Sequence, residues 1–591
     1  MGERRWAGYA LLSALLALGC AGEAGAADPG AGNPGGAGAG GAGATAGGGG
    51  ATGPGTGITG GQPGGAAGAP GGGQNGAAGA PGSSPPGPLP APSCAAAPGG
   101  GRSTAEAPVL KMPLADRFHE GWLASPSVVD LDGDGQREIV LPREQRLLVF
   151  RPDGALAFSA NVSGRIWASA VTANFVGDEA LEIVVAARGN VYMFDAKGQA
   201  APGFPVAWRD EMRSLAAGDV DGDGRLEIVV ATTSLLRNGG RSDVFQVLRA
   251  DGSMQPGFPA NTSGTSGCTE ACYLAGAFDQ NLALGPLDRS GGWDILVPHD
   301  NAYMSWHRGD GVAFDSAPIF NKRPKVPGIR FLLDYAEAQR GFSDTEETSN
   351  QAHFTNSPPA IADIDGDGQN EIVVLGSVQN AAQSDRERGV ALWVVRPDGT
   401  RPPAWTAPFH APDFLSGLWD FEGENVIAAS NQVSVADIDP AAPGREMIFA
   451  GFDGRIHAVG ADRRPLWSTP YTTSARVLTG GLAIADLSGD GVPEIVFASY
   501  SPDAGQSHLF VFAASGEKQH QIPLPGRGAM AVPTVADLEG DGTLEIVVNL
   551  KDGEDRMASG LVFTVPGSAT TCLPWPTGRG NWHRNGYLPP P

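Results

Sequence analysis

Short apolar stretches of three to six residues recur from about residue 105 onward, separated by acidic or Gly-containing turns. In the first such unit they are Ser127 to Val129, Ile139 to Leu141, Leu147 to Phe150 and Leu156 to Phe158. Short stretches rich in β-branched residues and bounded by turn signals are typical of strands. The pattern predicts an all-β protein assembled from consecutive hairpins.

Eight segments repeat one plan: an apolar stretch, an acidic turn, and an acidic residue followed at once by an apolar triplet. They begin at Asp130, Asn174, Asp219, Pro286, Asp363, Asp437, Asp486 and Asp537. The shortest interval, from 130 to 174, is about the length of one four-stranded propeller blade. We therefore predict an eight-bladed β-propeller, with seven blades as the alternative.

A propeller must also close its ring, because an unpaired outer strand would leave an exposed sheet edge. The stretch Val109 to Leu114 resembles His520 to Leu524, which precedes the eighth repeat. Residues near 108 to 116 are accordingly expected to form the outer strand of the last blade.

The chain begins with features of an export signal. Arg4 and Arg5 precede an apolar stretch from Trp6 to Leu18 that is too short to span a bilayer, and the following Leu-Gly-Cys resembles a bacterial lipobox. We expect residues 1–20 to be a lipoprotein-type signal peptide and Cys20 to be lipidated. Cleavage at a small-residue site and release as a secreted protein is the alternative.

Residues 21–104 are predicted to be a disordered tether. Between Ala21 and Gly100, 64 of the 80 residues are Gly, Ala or Pro, and no residue is aromatic, so no core can form. A flexible coil of this length has a root-mean-square reach of roughly 50 Å. Residues 105–571 are assigned to the propeller and residues 572–591 to a C-terminal cap against its last blade.

The net charge of −24 argues against nucleic acid as a partner, since the chain has no cluster of Lys and Arg. The eight acidic turns hold 27 of the 64 Asp and Glu residues and only four of the 40 Lys and Arg residues. The negative charge is therefore concentrated in the turns.

The turn pattern D-x-D-x-D-G-x-x-E places carboxylates where they can converge on one hard cation. In the first turn the side chains are Asp130, Asp132, Asp134 and Glu138, with the carbonyl of Gln136 between them. Oxygen-only ligands select Ca²⁺ or Mg²⁺, and a flexible carboxylate-rich loop favours Ca²⁺. An EF-hand is excluded, because its bidentate Glu stands at position twelve and a helix follows it.

These repeats resemble the FG-GAP/VCBS repeats of integrin-like β-propellers over about residues 105–570. The resemblance implies structural Ca²⁺, up to about five ions, in the hairpin between the first two strands of a blade, with affinities of about 10⁻⁴ to 10⁻³ M. The implied ligands are Asp130, Asp132, Asp134, Gln136, Glu138; Asp219, Asp221, Asp223, Arg225, Glu227; Asp363, Asp365, Asp367, Gln369, Glu371; Asp486, Ser488, Asp490, Val492, Glu494; and Asp537, Glu539, Asp541, Thr543, Glu545. No site is assigned to the turns at Asn174, Pro286 and Asp437.

Long insertions are expected to form a raised patch on the face opposite the acidic turns. They span roughly 231–243, 261–281, 321–357, 377–389 and 409–430. Aromatic residues in or beside them are Tyr273, Trp306, Phe331, Tyr335, Phe342, Phe354, Trp405, Phe409, Phe414 and Trp419. Such residues stack on sugars or anchor a protein partner; packing against the ring is the alternative for each of them.

The cysteines are expected to form disulfides in an oxidising compartment. Cys268 and Cys272 are close in sequence and suit a local bridge, while a bridge from Cys94 to Cys572 would lock the ring. Four cysteines formally allow three pairings.

Taken together, these features predict a monomeric outer-membrane or cell-surface lipoprotein, joined to the membrane only by its lipid anchor. The propeller would act as a binding or adhesion module for a glycan or an extracellular protein, through the long loops of repeats three to five. The chain shows no convincing catalytic constellation. A polysaccharide lyase or hydrolase is the alternative, with Asp/His pairs such as His299–Asp300 and His410–Asp413 as candidates.

Overall fold

The computed structural model divides the chain into two units, and all described residues lie in the second, Ser83–Pro591. The described ranges are 94–116, 119–209, 211–233, 244–258, 276–288, 291–312, 329–339, 349–380, 385–418, 432–552, 558–570 and 572–590. The predicted signal peptide, Cys20, most of the predicted tether, Cys268 and Cys272 lie outside them.

The described residues are nearly all in strands and turns. Strand β1 (Val109–Ala115) precedes the first repeat. Blade one holds β2 (Ser127–Val129), β3 (Glu138–Arg143), β4 (Arg146–Phe150) and β5 (Leu156–Asn161); blade two holds β6 (Val171–Ala173), β7 (Glu182–Ala187), β8 (Asn190–Phe194) and β9 (Val206–Ala207). Blade three holds β10 (Met212–Gly218), β11 (Glu227–Thr232) and β12 (Phe245–Leu248); blade four holds β13 (Ala283–Gly285), β14 (Asp294–Pro298), β15 (Tyr303–His307) and β16 (Ile329–Arg330).

The second half of the ring follows the same plan with a few additions. A short helix α1 (Tyr335–Gln339) and β17 (Gln351–His353) precede blade five, which holds β18 (Ala360–Ala362), β19 (Glu371–Gln379), β20 (Val390–Val395) and β21 (Phe409–Ala411). Blade six holds β22 (Val433–Ala436), β23 (Glu446–Ala450), β24 (Arg455–Val459) and β25 (Pro465–Pro470); blade seven holds β26 (Leu478–Thr479), β27 (Ala483–Ala485), β28 (Glu494–Tyr500), β29 (His508–Phe512) and β30 (Lys518–Pro523). Blade eight holds β31 (Thr534–Ala536), β32 (Leu544–Asn549) and β33 (Ala558–Val565), and β34 (Tyr587–Leu588) lies in the C-terminal tail.

Eight blades form the ring, so the seven-bladed alternative is wrong. The predicted closing strand is present: β1 pairs antiparallel with β33, from Val109 opposite Thr564 to Ala115 opposite Ala558. Blade eight is therefore built from both ends of the domain.

Burial explains the apolar triplets of the repeat. The second strands are covered on both faces by neighbouring blades, as in β19, where all nine residues are buried. The outer strands β5 and β30 instead mix exposed and half-buried residues. A continuous apolar run thus indicates a strand buried inside the blade, and a mixed pattern indicates its outer strand. No helix among the described residues is long and apolar enough to cross a membrane.

The sequence predicted that the C-terminal tail caps the last blade. In the structure the tail extends well beyond that blade. It passes along the innermost strands of six blades and pairs with their backbone. The contacts are Ile484 with Trp575, Val535 with Pro576, Thr172 with Trp582, Ala217 with His583, Leu284 with Asn585 and Ile361 with Gly586. An inner strand has one unpaired edge facing the ring axis, and the tail satisfies N–H groups there.

Two buried arginines of the tail bind backbone carbonyls rather than carboxylates. Arg584 donates to the carbonyls of Ala170, Gly578, Ser125 and Pro126 and to the hydroxyls of Thr577 and Ser127. Arg579 donates to the carbonyls of Pro359 and Leu282. Each guanidinium joins segments that are far apart in sequence.

A disulfide adds a covalent link between the two ends of the domain. Cys94 is bonded to Cys572 across 478 residues, with their Cα atoms 4.7 Å apart. This is the bridge that the sequence suggested would lock the ring. It fixes the segment before β1 to the start of the tail.

Replacing Arg584 with Ala is expected to lower the free energy of unfolding by at least about 3 kcal/mol, because several buried acceptors lose their donor. The matched control is Arg464→Ala, whose side chain is 65% exposed. It is expected to cost under about 0.5 kcal/mol. Urea unfolding followed by tryptophan fluorescence measures both, and equal losses would show that the tail does not hold the ring.

Candidate metal centres

The acidic residue at position nine of each turn, or at position ten in the sixth turn, which is one residue longer, closes the loop in front of it. In all eight blades its carboxylate accepts the backbone N–H of loop position two at 2.8–3.1 Å. The pairs are Glu138–Leu131, Glu182–Phe175, Glu227–Val220, Asp294–Leu287, Glu371–Ile364, Glu446–Ile438, Glu494–Leu487 and Glu545–Leu538. The bond persists in the turns that begin at Asn174, Pro286 and Asp437, to which no metal site is assigned, so this residue is structural in every blade.

The first Asp organises the rest of the loop. Asp130 accepts the N–H groups of Gly133, Asp134 and Gly135 at 2.8, 3.1 and 2.9 Å, and Asp363 repeats this pattern in blade five. Gly133 and Gly135 have φ of 77° and 87°, values that a side chain would strain. The loop therefore wraps its backbone around one carboxylate.

Carboxylate oxygens from positions one, three and nine converge in three blades. The sets are Asp130, Asp132 and Glu138; Asp219, Asp221 and Glu227; and Asp363, Asp365 and Glu371. Within each set the candidate ligand atoms lie within 4.8 Å of one another. At position five, Asp134 Oδ1 accepts the N–H of Gln136 at 2.8 Å.

Electrostatics show that these sets fit a cation. Burial, reinforced by the neighbouring Asp221 and Asp223, raises the pKa of Glu227 to about 8. Burial likewise raises the pKa of Glu371 to about 7. In blade three, Asp219 Oδ1 is buried without a hydrogen-bond partner among the described residues. Oxygen donors alone, with negative charge in excess, suit a hard divalent ion.

An arginine approaches the fifth-blade set from the next hairpin. Arg396 follows β20, and its side-chain nitrogens lie 2.8 Å from Asp367 Oδ2, 3.4 Å from Asp365 Oδ2 and 3.5 Å from Glu371 Oε1. In blade three Arg249 lies 4.0 Å from Asp221 Oδ2. Third-to-fourth turns thus share a face with the acidic turns, and we call it the acidic-loop face.

The seventh turn is covered by the N-terminal segment. The N–H groups of Ala97 and Arg102 bind the carbonyls of Gly489 and Ser488 at 2.7 and 3.0 Å. Asp486 is fully buried, and Ser488 donates to its Oδ1 at 3.2 Å. Ser at position three keeps the loop geometry with one less charge, which suits a covered site.

The eighth turn is occupied by an internal cation. Lys111 of β1 contacts Glu539 and lies 3.1 Å from Glu545 Oε1. The sequence assigned this turn the same role as the others, and nothing in the spacing of its acidic residues distinguishes it.

Among the turns to which no metal site is assigned, that of blade two keeps the hydrogen bond at its first position although Asn174 carries no charge there. Asn174 Oδ1 accepts the N–H of Gly177 at 2.6 Å, as Asp130 does for Gly133. In the sixth turn Glu446 keeps the closing bond, while its Oε1 has no partner among the described residues.

The opposite face carries the described insertions, and we call it the insertion face. The second strands of the blades end at this face, as β19 does at Gln379, and the third strands begin there, as β20 does at Val390. Since β16 is the fourth strand of blade four, the inter-blade insertion begins at residue 331, ten residues later than predicted. Much of 231–243 and 261–281 lies outside the described residues.

Most of the described aromatic residues predicted for display are packed inside. Trp306, Phe331, Phe354 and Trp405 are buried, and Phe331 contacts Phe354 with ring centroids 5.3 Å apart. The display role is therefore wrong for these four. Tyr335, Phe409 and Phe414 are half-buried, whereas Tyr273, Phe342 and Trp419 lie outside the described residues.

The candidate catalytic pairs are placed in structural contacts. His299 is 1% exposed, and the carboxylate of Asp300 lies 3.2 Å from His353 Nε2. The imidazole of His410 is 2.8 Å from the carbonyl of Arg388. Neither histidine faces the acidic-loop sets.

A family model described as an FG-GAP-like repeat matches residues 174–230 and 486–548. The chain contains FG-GAP-like repeats. The two matches span the turns of repeats two and three and of repeats seven and eight. No curated protein matches the chain at a significant level.

Several solved structures are similar to the chain at low identity. The biofilm matrix protein Bap1 of V. cholerae is 13% identical, with a TM-score of 0.37, over 79% of this chain and 92% of that one. The exotype rhamnogalacturonan lyase YesX is 16% identical, with a TM-score of 0.47, over 81% and 80%. BamB from Moraxella catarrhalis is 12% identical, with a TM-score of 0.38, over 78% and 97%. Likeness at this level does not extend to function.

The raised pKa of Glu227 predicts a pH effect in metal-free protein. Between pH 5 and 8 the unfolded state releases this proton while the folded state keeps it, so stability falls as pH rises. Glu227→Gln cannot titrate. The melting temperature of the wild type, relative to this variant, should fall from pH 5 to 8 in a chelator. Saturating Ca²⁺ should remove that decline. A difference in melting temperature between the two proteins that stays constant from pH 5 to 8 without Ca²⁺ would refute the raised pKa.

Proposed function

We propose that this propeller is an exported, membrane-tethered binding or adhesion module whose acidic turns hold structural Ca²⁺. The single observation that carries the metal assignment is the convergence of three carboxylate sets, in blades one, three and five. When bound, Ca²⁺ would neutralise these carboxylates and fix the hairpins that carry them. The lipid anchor at Cys20 and the tether remain part of this proposal on the strength of the sequence.

The Ca²⁺ ligands act on folding rather than on chemistry. Each set joins the end of a first strand to the start of a second strand, as Asp130 and Glu138 do in blade one. A ligand that binds only the folded state stabilises it by about 2.7 kcal/mol per site at a concentration of 100 times Kd. Several such sites around one face would stabilise the blades without any site being catalytic.

Addition of Ca²⁺ to chelated protein is expected to raise its melting temperature, and Asp132→Asn together with Asp365→Asn should remove most of that rise. Both positions belong to the converging sets. Asp310→Asn is the control, because Asp310 is an exposed acid of a third-to-fourth turn. Scanning calorimetry and isothermal titration calorimetry provide the readouts. An unchanged melting temperature on adding Ca²⁺ would contradict the structural role.

A partner would bind on a face of the ring, since the tail fills positions along the inner strands. A groove of about 720 Å³ lies between α1, which follows blade four, and the connection from β20 to β21 in blade five. Its lining includes Leu333, Tyr335, Arg401 and Pro402. Arg401 lies over the ring of Tyr335 at 3.4 Å. A half-buried aromatic ring, a guanidinium and apolar walls are suited to a glycan or to a protein anchor.

Full-length protein is expected to retain ligands from a panel of glycans and cell-surface proteins. The double variant Tyr335→Ala and Arg401→Ala should bind at least about tenfold more weakly, the cost of a hot-spot pair. The matched control on the acidic-loop face is Arg308→Ala with Asp310→Ala. Equal binding by both double variants would exclude the groove as the binding site.

The same panel tests the competing proposal, a polysaccharide lyase or hydrolase. Release of shortened products by the wild type, lost in His299→Ala or His410→Ala, would favour the enzyme over the binding module.

A further inference from the structure

The eighth acidic turn differs from the others because the closing strand delivers a lysine to it. In the pairing of β1 with β33, Leu110 lies opposite Phe563 and Met112 opposite Val562, so Lys111 is the extra residue of a β-bulge. Bulges redirect a side chain out of the regular alternation of a strand. Lys111 Nζ contacts Glu539 and lies 3.1 Å from Glu545 Oε1.

The carboxylate oxygens at positions one and nine of this turn also accept hydrogen bonds from protein donors. Glu545 Oε2 accepts the N–H of Leu538, and Oε1 also accepts the hydroxyl of Thr564 at 3.2 Å. Asp537 Oδ1 accepts the N–H of Asp541, and Oδ2 accepts the N–H of Gly542 and the hydroxyl of Thr570. No carboxylate oxygen of Asp537 or Glu545 is left without a donor.

A second cation reaches the same turn from blade one. Arg137 donates to the carbonyl of Asp537 and lies 3.6 Å from Asp537 Oδ2. The first turn is different: among the described residues no Lys or Arg forms an ion pair with Asp130, Asp132 or Glu138. The positive charge at the eighth turn therefore comes from the protein itself.

We propose that the ammonium of Lys111 takes the place of Ca²⁺ in the eighth turn, so that blade eight is complete without a metal ion. The inference rests on the proposed Ca²⁺ binding of the other turns, because the number of ions that the wild type binds is the reference for the test. One consequence is that the blade joining the two ends of the domain keeps its loop closed when Ca²⁺ is withdrawn. Another is that the five turns with assigned Ca²⁺ ligands hold four ions at most.

Removing the ammonium should open a new site. Isothermal titration calorimetry of full-length Lys111→Gln with Ca²⁺ is expected to give one more bound ion per chain than the wild type. Lys111→Arg, which keeps the charge, and Lys518→Gln, which removes an exposed lysine of β30, should both give the wild-type number. An unchanged number in Lys111→Gln would overturn the inference.

A second variant keeps the test decisive if Lys111→Gln does not fold. Glu539→Gln removes a ligand that the motif requires but leaves Lys111 in place. If the ammonium occupies the turn, this variant binds as many Ca²⁺ ions as the wild type; one ion fewer would overturn the inference. A wild type that binds no Ca²⁺ would instead refute the proposed function, so the two failures are distinguishable.

Discussion

The hydrogen bond from loop position two to the carboxylate at position nine is the constraint on which each blade depends. It ties the start of the second strand to the turn that precedes it, and it is present in blades with and without a full set of acids, as Glu182 and Glu227 show. In seven of the eight blades this carboxyl group is buried, so water solvates its ionised form poorly. The remaining chemistry of the acidic-loop face follows from the need to balance that charge.

The blades balance the charge of this carboxylate and its acidic neighbours in different ways. In blade one the acids converge, and no Lys or Arg among the described residues forms an ion pair with Asp130, Asp132 or Glu138. Blade five adds Arg396, blade seven replaces one acid by Ser488, and blade eight brings in Lys111. Blade two removes charge at the first position, where Asn174 keeps the hydrogen bond of an Asp. One repeat has thus diverged in the source of its positive charge while its backbone stayed the same.

The repeat made much of this predictable. Spacing and alternation give eight blades, the closing strand and the converging ligands of three turns, because these follow from local pattern. The path of the tail does not follow from local pattern. Residues such as Arg584 bind carbonyl groups that come together only in the assembled ring. The same holds for Lys111, whose direction is set by a bulge. Buried aromatics such as Trp405 were misassigned because a long connection can fold back into the core.

Three links close the ring, and none of them involves a metal ion. Strand β1 pairs with β33, Cys94 is bonded to Cys572, and the tail joins the inner strands of six blades. The hydrogen bond that closes each acidic turn, by contrast, lies within one hairpin. Ring closure is therefore a property of the chain ends, separate from the acidic turns.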